Sequence, residues 1–333
     1  MLQSKDLPCS WDYLWPRLVY RLFNSGRIPY GRRIFRSIFA TPLAIRSLRH
    51  AKKGDTAWII SFCAPFSPHP GAENAIKKKG AKYLFQVVDD WFDIPALREG
   101  TLRRCRLADA IGVPTTFLAR RVLEFVPEKN VFVFEEPIQI HRFETIQQVR
   151  DPMPTILWNG NPYNLEHASM LMGVLRRIHR KCPFRFRVIC ATPPPKDFGQ
   201  GLNLQYLKYN PESEAQQISG SWLGLAPMPD TGHNRCKGAY KVKTYFAAGL
   251  PVVASPVGFQ QQLVAEGGEV GFLPDSTEAW ETALLSLLKN PDLSLRMGKT
   301  AYLYAQRRFS YDAVANSWVT YLRNLTRQDP LPV

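Results

Sequence analysis

Short apolar runs alternate with longer mixed segments along this chain of 333 residues. Apolar runs bounded by turn residues are typical of buried parallel strands, and the mixed segments between them are typical of helices. In the first half, this pattern predicts strands at 58–64, 83–88, 110–113 and 131–134, with helices at 72–79, 97–107 and 116–125. Alternating strands and helices predict an α/β fold built on a doubly wound parallel sheet.

A second alternating series follows in the other half of the chain. It predicts strands at 155–158, 186–190, 204–207, 222–226 and 252–254, with helices at 165–179 and 212–219. Asn159-Gly-Asn-Pro162 is interpreted as a loop after the first of these strands. The chain is therefore expected to contain a second sheet of the same kind.

Two domains are expected, because the chain is too long for one typical core. The apolar periodicity is lost at 141–154, where Pro152 and Pro154 mark a boundary. The predicted limits are 1–54 for a basic helical segment, 55–145 for the rest of the first domain, 151–309 for the second domain and 310–326 for a final helix. Ligands of such sheets bind beyond the carboxyl ends of strands. The turn at Asp89-Asp90, the turn at 159–161 and the loop before 239 all follow strands, and we expect them to face a cleft between the domains.

The stretch 237–255 carries the strongest local signal. Residues 239–248 have helical composition, Gly249 suits a left-handed helix end, and Pro251 blocks continuation before the apolar run 252–254. Lys237 and Lys241 lie where the helix dipole is already positive, which is unfavourable unless an anion binds there. Phosphate fits this place, because helix amino termini bind it with free N–H groups. Two solvated surface lysines are the alternative interpretation.

The same stretch resembles the donor-side helix of GT-B glycosyltransferases, specifically glycosyltransferase family 4. The similarity lies in Lys237, Lys241, Tyr245 and the run from Gly249 to Ser255, followed by three further signals in order. These are Pro256-Val-Gly258, Gly271-Phe-Leu273, and Ser310-Tyr311 at the start of the last helix. The resemblance covers 155–322 well and 55–143 loosely. It implies two Rossmann-like domains with a cleft between them.

The resemblance implies a role for each candidate residue. Lys237 and Lys241 would neutralise the donor diphosphate and stabilise the leaving group. Backbone N–H groups near the diphosphate would come from Gly160 and Asn161, and from the helix start at Gly238, Ala239 and Tyr240. The turn residues 160–161 also fit an ordinary turn without a ligand.

The acidic pair Asp89-Asp90 resembles a pair found on the acceptor side of some family members. One carboxylate of Asp89 or Asp90 would orient or deprotonate an acceptor hydroxyl. The alternative is a helix cap beside a solvated acid.

Departures from the family pattern weaken this assignment. Two glutamates seven residues apart are common in the family, and the second grips the donor ribose. Their positions are occupied by Cys236 and Thr244, and Gln262 replaces another frequent glutamate. Thr244 retains one hydroxyl for a weaker contact. The first domain appears shortened, because no strand and glycine-rich loop precede Trp58. Either the start is truncated, or the basic segment replaces the missing part.

The net charge of +15 indicates anionic partners. Residues 1–53 hold eleven Lys or Arg against two Asp, a balance of +9, and aromatic residues are interleaved with them. Such a segment either lies on an anionic membrane surface or packs as core helices with a solvated basic face. No nucleic-acid-binding module is found, so nucleic acid is not expected as a partner.

Composition and cysteine usage indicate a cytoplasmic protein, peripheral at the inner face of a membrane if the basic segment binds lipid. No spanning apolar run and no signal-peptide pattern occur in the sequence. The six cysteines show neither a C-x-x-C pair nor zinc spacing, which fits reduced thiols.

The resemblance implies a retaining transferase that needs no metal or other cofactor. Its partners would be a nucleoside diphosphate sugar and a hydroxyl acceptor on a glycan or lipid-linked glycan, in glycan or surface polysaccharide synthesis. The alternatives are a nucleotide-sugar epimerase, a phosphorylase, whose pyridoxal lysine context is not found, and a catalytically silent nucleotide-binding partner of the same fold.

Overall fold

A computed structural model describes residues 52–53, 55–61, 71–144 and 150–327. Almost all of the basic segment 1–53 lies outside the described residues, as do positions 62–64 of the first predicted strand. The chain divides into two compact units. Unit 1 comprises Met1–Phe134 and Ala315–Val333, and unit 2 comprises Glu135–Val314.

Unit 1 contains a four-stranded parallel sheet in the order β1-β2-β3-β4. The strands are β1 (Thr56–Ser61), β2 (Lys82–Val87), β3 (Ala110–Val113) and β4 (Val131–Val133), and the intervening helices are α1 (Gly71–Lys78), α2 (Pro95–Leu107) and α3 (Thr116–Leu123). This arrangement confirms the predicted alternation. Helix α2 begins earlier than predicted, because Pro95 at its first position has its φ angle already set for a helix.

Unit 2 contains a six-stranded parallel sheet in the order β10-β9-β8-β5-β6-β7. The strands are β5 (Thr155–Gly160), β6 (Arg185–Cys190), β7 (Asn203–Lys208), β8 (Leu223–Ala226), β9 (Val252–Ala254) and β10 (Gly271–Phe272). The helices are α4 (His141–Glu144), α5 (Leu165–Ser169), α6 (Met172–Lys181), α7 (Glu214–Ile218), α8 (Gly232–Arg235), α9 (Tyr240–Ala247), α10 (Gly258–Gly267), α11 (Thr277–Lys289) and α12 (Pro291–Phe309). The final helix, α13 (Tyr311–Arg327), belongs to unit 2 as far as Val314 and to unit 1 from Ala315.

The carboxyl end of β5 differs from the prediction. Gly160 pairs with Cys190, so Asn159 and Gly160 continue the strand and do not form a loop. The turn comes one residue later, where the Asn161 side chain accepts a hydrogen bond from the Tyr163 N–H and caps a short 3₁₀ helix. Apolar patterning missed the last two strand residues because neither has an apolar side chain.

The single long helix predicted at 165–179 is wrong. The chain forms two helices, α5 and α6, separated at Met170 and Leu171. The Leu171 N–H bonds to the Ala168 carbonyl in a tighter three-residue turn. This change of hydrogen-bond partner leaves no trace in the apolar spacing, which stays nearly helical across the break.

Tyr245 links helix α9 to the middle of the sheet. Its ring is fully buried, and its hydroxyl accepts a hydrogen bond from the Asn159 N–H at 3.0 Å. The same oxygen lies 3.4 Å from the Leu157 carbonyl and 3.3 Å from the Leu225 carbonyl. A side chain at Gly224 would begin 2.2 Å from this ring, so β8 must carry glycine there. One hydroxyl therefore sets the position of α9 on β5 and β8.

We expect Tyr245→Phe to lower the free energy of unfolding by about 1–3 kcal/mol, because it leaves the buried Asn159 N–H without an acceptor. Urea titration measures the change as a shift in midpoint. Tyr163→Phe is the control, since that side chain is 87% exposed and should shift stability by less than about 0.5 kcal/mol. Equal stability of both variants would show that the Tyr245 hydroxyl does not fix the helix.

Candidate functional site

The predicted donor-side residues meet in unit 2, at the carboxyl ends of β5 and β6 and the start of α9. Helix α9 begins at Tyr240, one residue after the predicted start. Ala239 is its N-cap residue and adopts a left-handed conformation, with φ 50°. Among the described residues other than glycine, only Ala239 has a positive φ. Strain of this kind persists where the surroundings require it and clusters at ligand sites.

The first turn of α9 offers unpaired donors. The N–H groups of Tyr240, Lys241 and Val242 have no acceptor one turn earlier, because Lys243 is the first residue to bond back, to the Ala239 carbonyl. Ala239 supplies no capping side chain, and no acidic residue lies in the first turn. The helix start is thus electropositive and suited to an anion.

Lys241 extends from this turn over the end of β5. Its Nζ lies 4.2 Å from the centroid of the buried Trp158 ring, a cation–π distance. A side chain at Gly160 would begin 3.1 Å from Trp158 and 3.3 Å from Lys241 Nζ. Glycine at 160 therefore keeps open the space beside the ammonium group, a role distinct from the predicted N–H donation.

Basic side chains predominate around Lys241. Burial, with the like charge of Lys237, lowers the pKa of Lys241 to about 7, while Cys190 opposes the shift. No carboxylate of the described residues forms an ion pair with Lys241. Burial also lowers the pKa of His167, and Lys237 and Lys241 lower it further. We call Lys237, Lys241 and His167 the cationic cluster.

Sequence reasoning missed His167. His167 falls within the helix predicted at 165–179, and nothing in its local sequence distinguishes it. The structure places His167 in α5, just beyond the carboxyl end of β5, with Glu166 Oε1 4.0 Å from its Nε2. The sequence signal that could have identified His167 is its position shortly after the carboxyl end of the first strand of unit 2.

Lys243 was also missed. It is fully buried, and its Nζ donates to the Glu136 carbonyl at 3.2 Å. The same nitrogen lies 5.2 Å and 5.6 Å from the ring centroids of Phe309 and Phe259. Burial lowers the pKa of this lysine, and Glu136 opposes the shift. Lys243 therefore anchors α9 from the side away from the cationic cluster.

Thr244 and Cys236 occupy the positions at which family members carry glutamates. Both are buried. The Thr244 hydroxyl donates to the Tyr240 carbonyl at 2.9 Å, so its proton is used within the helix. Its oxygen retains only acceptor capacity. The predicted contact of Thr244 with the donor stays a prediction, as do the N–H contacts of Asn161 and Gly238.

Asp89 and Asp90 belong to unit 1, where they follow β2. Asp90 is 1% exposed, and its Oδ1 accepts from the Phe92 N–H at 3.0 Å. Its Oδ2 accepts from Arg121 Nε at 3.3 Å. These bonds give Asp90 a structural role after the strand. Asp89 is more accessible, and the acceptor-side role predicted for the pair stays a prediction.

Comparison with curated proteins finds one partial relative. The chain is 45% identical over 71 residues to D-inositol 3-phosphate glycosyltransferase of Corynebacterium glutamicum, a match that spans 21% of this chain and 16% of that protein. No protein-family model matches this sequence.

Solved structures share the fold over most of the chain. Sucrose-phosphate synthase from Thermosynechococcus elongatus aligns with a TM-score of 0.65 at 15% identity, over 87% of this chain and 79% of its own. A glycosyltransferase from Rickettsia africae aligns with a TM-score of 0.62 at 13% identity, over 98% and 87%. Anabaena HepE, solved with UDP, gives 0.61 at 13% identity, over 86% and 82%. The α/β fold with parallel sheets is that of GT-B glycosyltransferases, as predicted.

The low pKa of Lys241 leads to a prediction about pH. Above pH 7 Lys241 is mostly neutral, so an anion that requires the charged form must bind together with a proton. Sulfate, which also binds at helix amino termini, keeps both of its negative charges from pH 7.5 to 9. We expect the affinity for inorganic sulfate to fall by up to about tenfold per pH unit over this range, as measured by calorimetry.

Lys241→Arg is the matched control for this pH dependence. Arginine stays charged throughout the range, so the variant should bind sulfate with a flatter pH profile. A wild-type affinity that does not change between pH 7.5 and 9 would contradict the assignment of Lys241.

Proposed function

We propose that this protein transfers a sugar from a nucleoside diphosphate sugar to an acceptor hydroxyl. The observation that carries the proposal is the cationic cluster at the start of α9, where Lys241 lacks a carboxylate partner among the described residues. A helix start with free N–H groups, beside Lys237 and a lysine that takes up a proton when an anion binds, fits a diphosphate. The GT-B fold and the partial match to a named glycosyltransferase support the same class of reaction.

The residues of the cluster would act on the leaving group. As the bond from the sugar carbon to the diphosphate oxygen breaks, negative charge accumulates on that oxygen. Lys237, Lys241 and the N–H groups of the first turn of α9 would stabilise this charge, and Gly160 would leave room for the phosphate. In this proposal they supply the charge that a metal supplies elsewhere, and the transfer retains configuration at the sugar carbon.

The acceptor hydroxyl must lose a proton during the transfer. We assign this proton to a carboxylate of the Asp89-Asp90 pair, with Asp89 the better candidate because it is more accessible than Asp90, which is 1% exposed. The acceptor is proposed to be a glycan or a lipid-linked glycan, in surface polysaccharide synthesis.

A silent nucleotide-binding protein is a second candidate. The buried Thr244 and Cys236, in place of carboxylates, favour it, because the Thr244 proton is already used by Tyr240. Release of free nucleoside diphosphate from sugar nucleotides in the presence of an acceptor separates the two candidates. Binding without such turnover would establish the silent protein.

A peripheral membrane location is proposed from the sequence of residues 1–53 and their balance of +9. Among the described residues, no helix is both long and apolar enough to cross a membrane.

We expect Lys241→Ala to abolish stabilisation by the preferred donor nucleotide, and Lys237→Ala to weaken it. A thermal-shift screen with UDP, GDP, ADP and their glucose derivatives identifies that nucleotide. A ligand at a hundred times its dissociation constant raises stability by about 2.7 kcal/mol. Lys289→Ala, an exposed lysine at the end of α11, is the matched control and should respond as the wild type does. Unchanged affinity in both cluster variants would remove the basis of the proposal.

We expect the full-length protein to bind acidic liposomes at low salt and to release them as salt rises. Attraction of this kind is worth about 1 kcal/mol per basic residue near the surface and fades within a Debye length. Neutral liposomes should bind much less, and replacing Arg32, Arg33 and Arg36 by Gln should weaken binding while nucleotide affinity is kept. Failure to sediment with acidic liposomes at low salt would favour core helices for this segment.

A further inference from the structure

A second polar group lies beside the cationic cluster in unit 2. Tyr209 follows the carboxyl end of β7, Glu214 opens α7, and Tyr240 opens α9 next to Lys241. Arg142 of α4 reaches Glu214, with its Nη1 3.3 Å from Oε2. We call Arg142, Tyr209, Glu214 and Tyr240 the Glu214 cluster. Its placement at the sheet edge where ligands bind makes it more than an isolated ion pair.

Glu214 is a buried carboxylate, with 5% of the residue exposed. Burial raises the pKa of this carboxyl, and Arg142 opposes the shift. Arg142 Nη1 bonds to one carboxylate oxygen, and no described residue donates a hydrogen bond to the other, Oε1. A carboxylate accepts several hydrogen bonds, so Glu214 keeps acceptor capacity after pairing with Arg142.

Both tyrosines lie close enough to this carboxylate for its charge to act on them, and both remain accessible. Burial raises the pKa of Tyr240 to about 12, and the charge of Glu214 and the nearby Tyr209 add to the shift, with Glu136 contributing and Arg142 opposing. Glu214 likewise raises the pKa of Tyr209, after burial. Both tyrosine side chains nevertheless contact solvent, with 52% of Tyr240 and 40% of Tyr209 exposed.

This combination matches the chemistry of a polyol. A carboxylate accepts hydrogen bonds from two neighbouring hydroxyls, tyrosine hydroxyls both donate and accept, and tyrosine rings offer apolar faces. Tyr240 and Lys241 are consecutive, with Cα atoms about 3.8 Å apart. The two clusters therefore share the first turn of α9, so one ligand that carries both phosphates and hydroxyls can contact both.

We propose that Glu214, held by Arg142 and flanked by Tyr209 and Tyr240, accepts hydrogen bonds from neighbouring hydroxyls of the ligand that binds the cationic cluster. The inference rests on the proposed function and adds to it a determinant of specificity. The hydroxyls belong either to the ribose of the nucleotide or to the sugar being transferred.

Glu214→Gln tests the proposal, because it keeps the shape of the side chain and weakens its acceptance of hydroxyl protons. The probes are inorganic pyrophosphate, which carries no hydroxyls on carbon, and UDP, GDP and ADP with their 2′-deoxy forms and glucose derivatives, all measured by calorimetry. We expect pyrophosphate affinity to change by less than twofold, and affinity for the hydroxyl-bearing ligand to fall by about tenfold or more.

The different probes distinguish the hydroxyls of the ribose from those of the transferred sugar. If ribose is the source, the wild type prefers the ribonucleotide to its deoxy form, and Glu214→Gln loses that preference. If the transferred sugar is the source, the variant binds nucleoside diphosphates normally and their sugar derivatives weakly. Tyr240→Phe, which removes only a hydroxyl from a half-exposed ring, should give a smaller loss of the same kind.

Glu281→Gln is the matched control. Glu281 also pairs with an arginine, Arg177 at 3.1 Å, but in α11 and outside the Glu214 cluster, so the variant should bind every probe as the wild type does. Equal losses for pyrophosphate and nucleotides in Glu214→Gln, or no loss for any probe, would overturn this inference alone. A wild type that binds neither pyrophosphate nor any nucleotide would overturn the proposed function as well.

Discussion

The burial of one ammonium group, that of Lys241, governs the chemistry of this site. Its Nζ lies over the Trp158 ring, and the charge of Lys237 repels it. An amine in such surroundings loses its proton near neutral pH, unless an anion arrives to replace the lost hydration. A bound anion would therefore remove a penalty that the fold itself imposes on Lys241. A solvated lysine would have no comparable preference.

The position of Lys241 depends on the contacts that hold helix α9 in place on two sides. Tyr245 bonds β5 and approaches β8 through its single hydroxyl, where Gly224 gives it room. Lys243 bonds the Glu136 carbonyl on another side. With the helix held this way, Ala239 takes the left-handed conformation from which the first turn starts. The packing interactions thus hold the local strain in place.

Much of this fold could be predicted from apolar patterning, because each buried parallel strand is a continuous apolar run. The prediction fails where the conformation of a residue depends on residues that are far away in the sequence. Asn159 and Gly160 extend β5 only because β6 runs alongside them to Cys190. The break at Leu171 replaces one hydrogen bond with a shorter one and leaves the apolar spacing intact. Residues that end or begin helices were predicted more accurately. Gly249 follows the end of α9 and Ser310 caps the start of α13, and both depend only on residues nearby in the sequence.

The residues of the candidate site likewise include some that could be predicted from the sequence and some that could not. Lys237 and Lys241 could be found by sequence because their charge conflicts with a helix start recognisable from local composition. His167, Lys243 and Glu214 could not, since a histidine, lysine or glutamate on a helix usually faces water, and only burial gives these three their roles. Glu214 shows the point most clearly. Its neighbours Arg142, Tyr209 and Tyr240 come from three separate segments, which are α4, the residue after β7 and the start of α9, and only the folded chain brings them near α7.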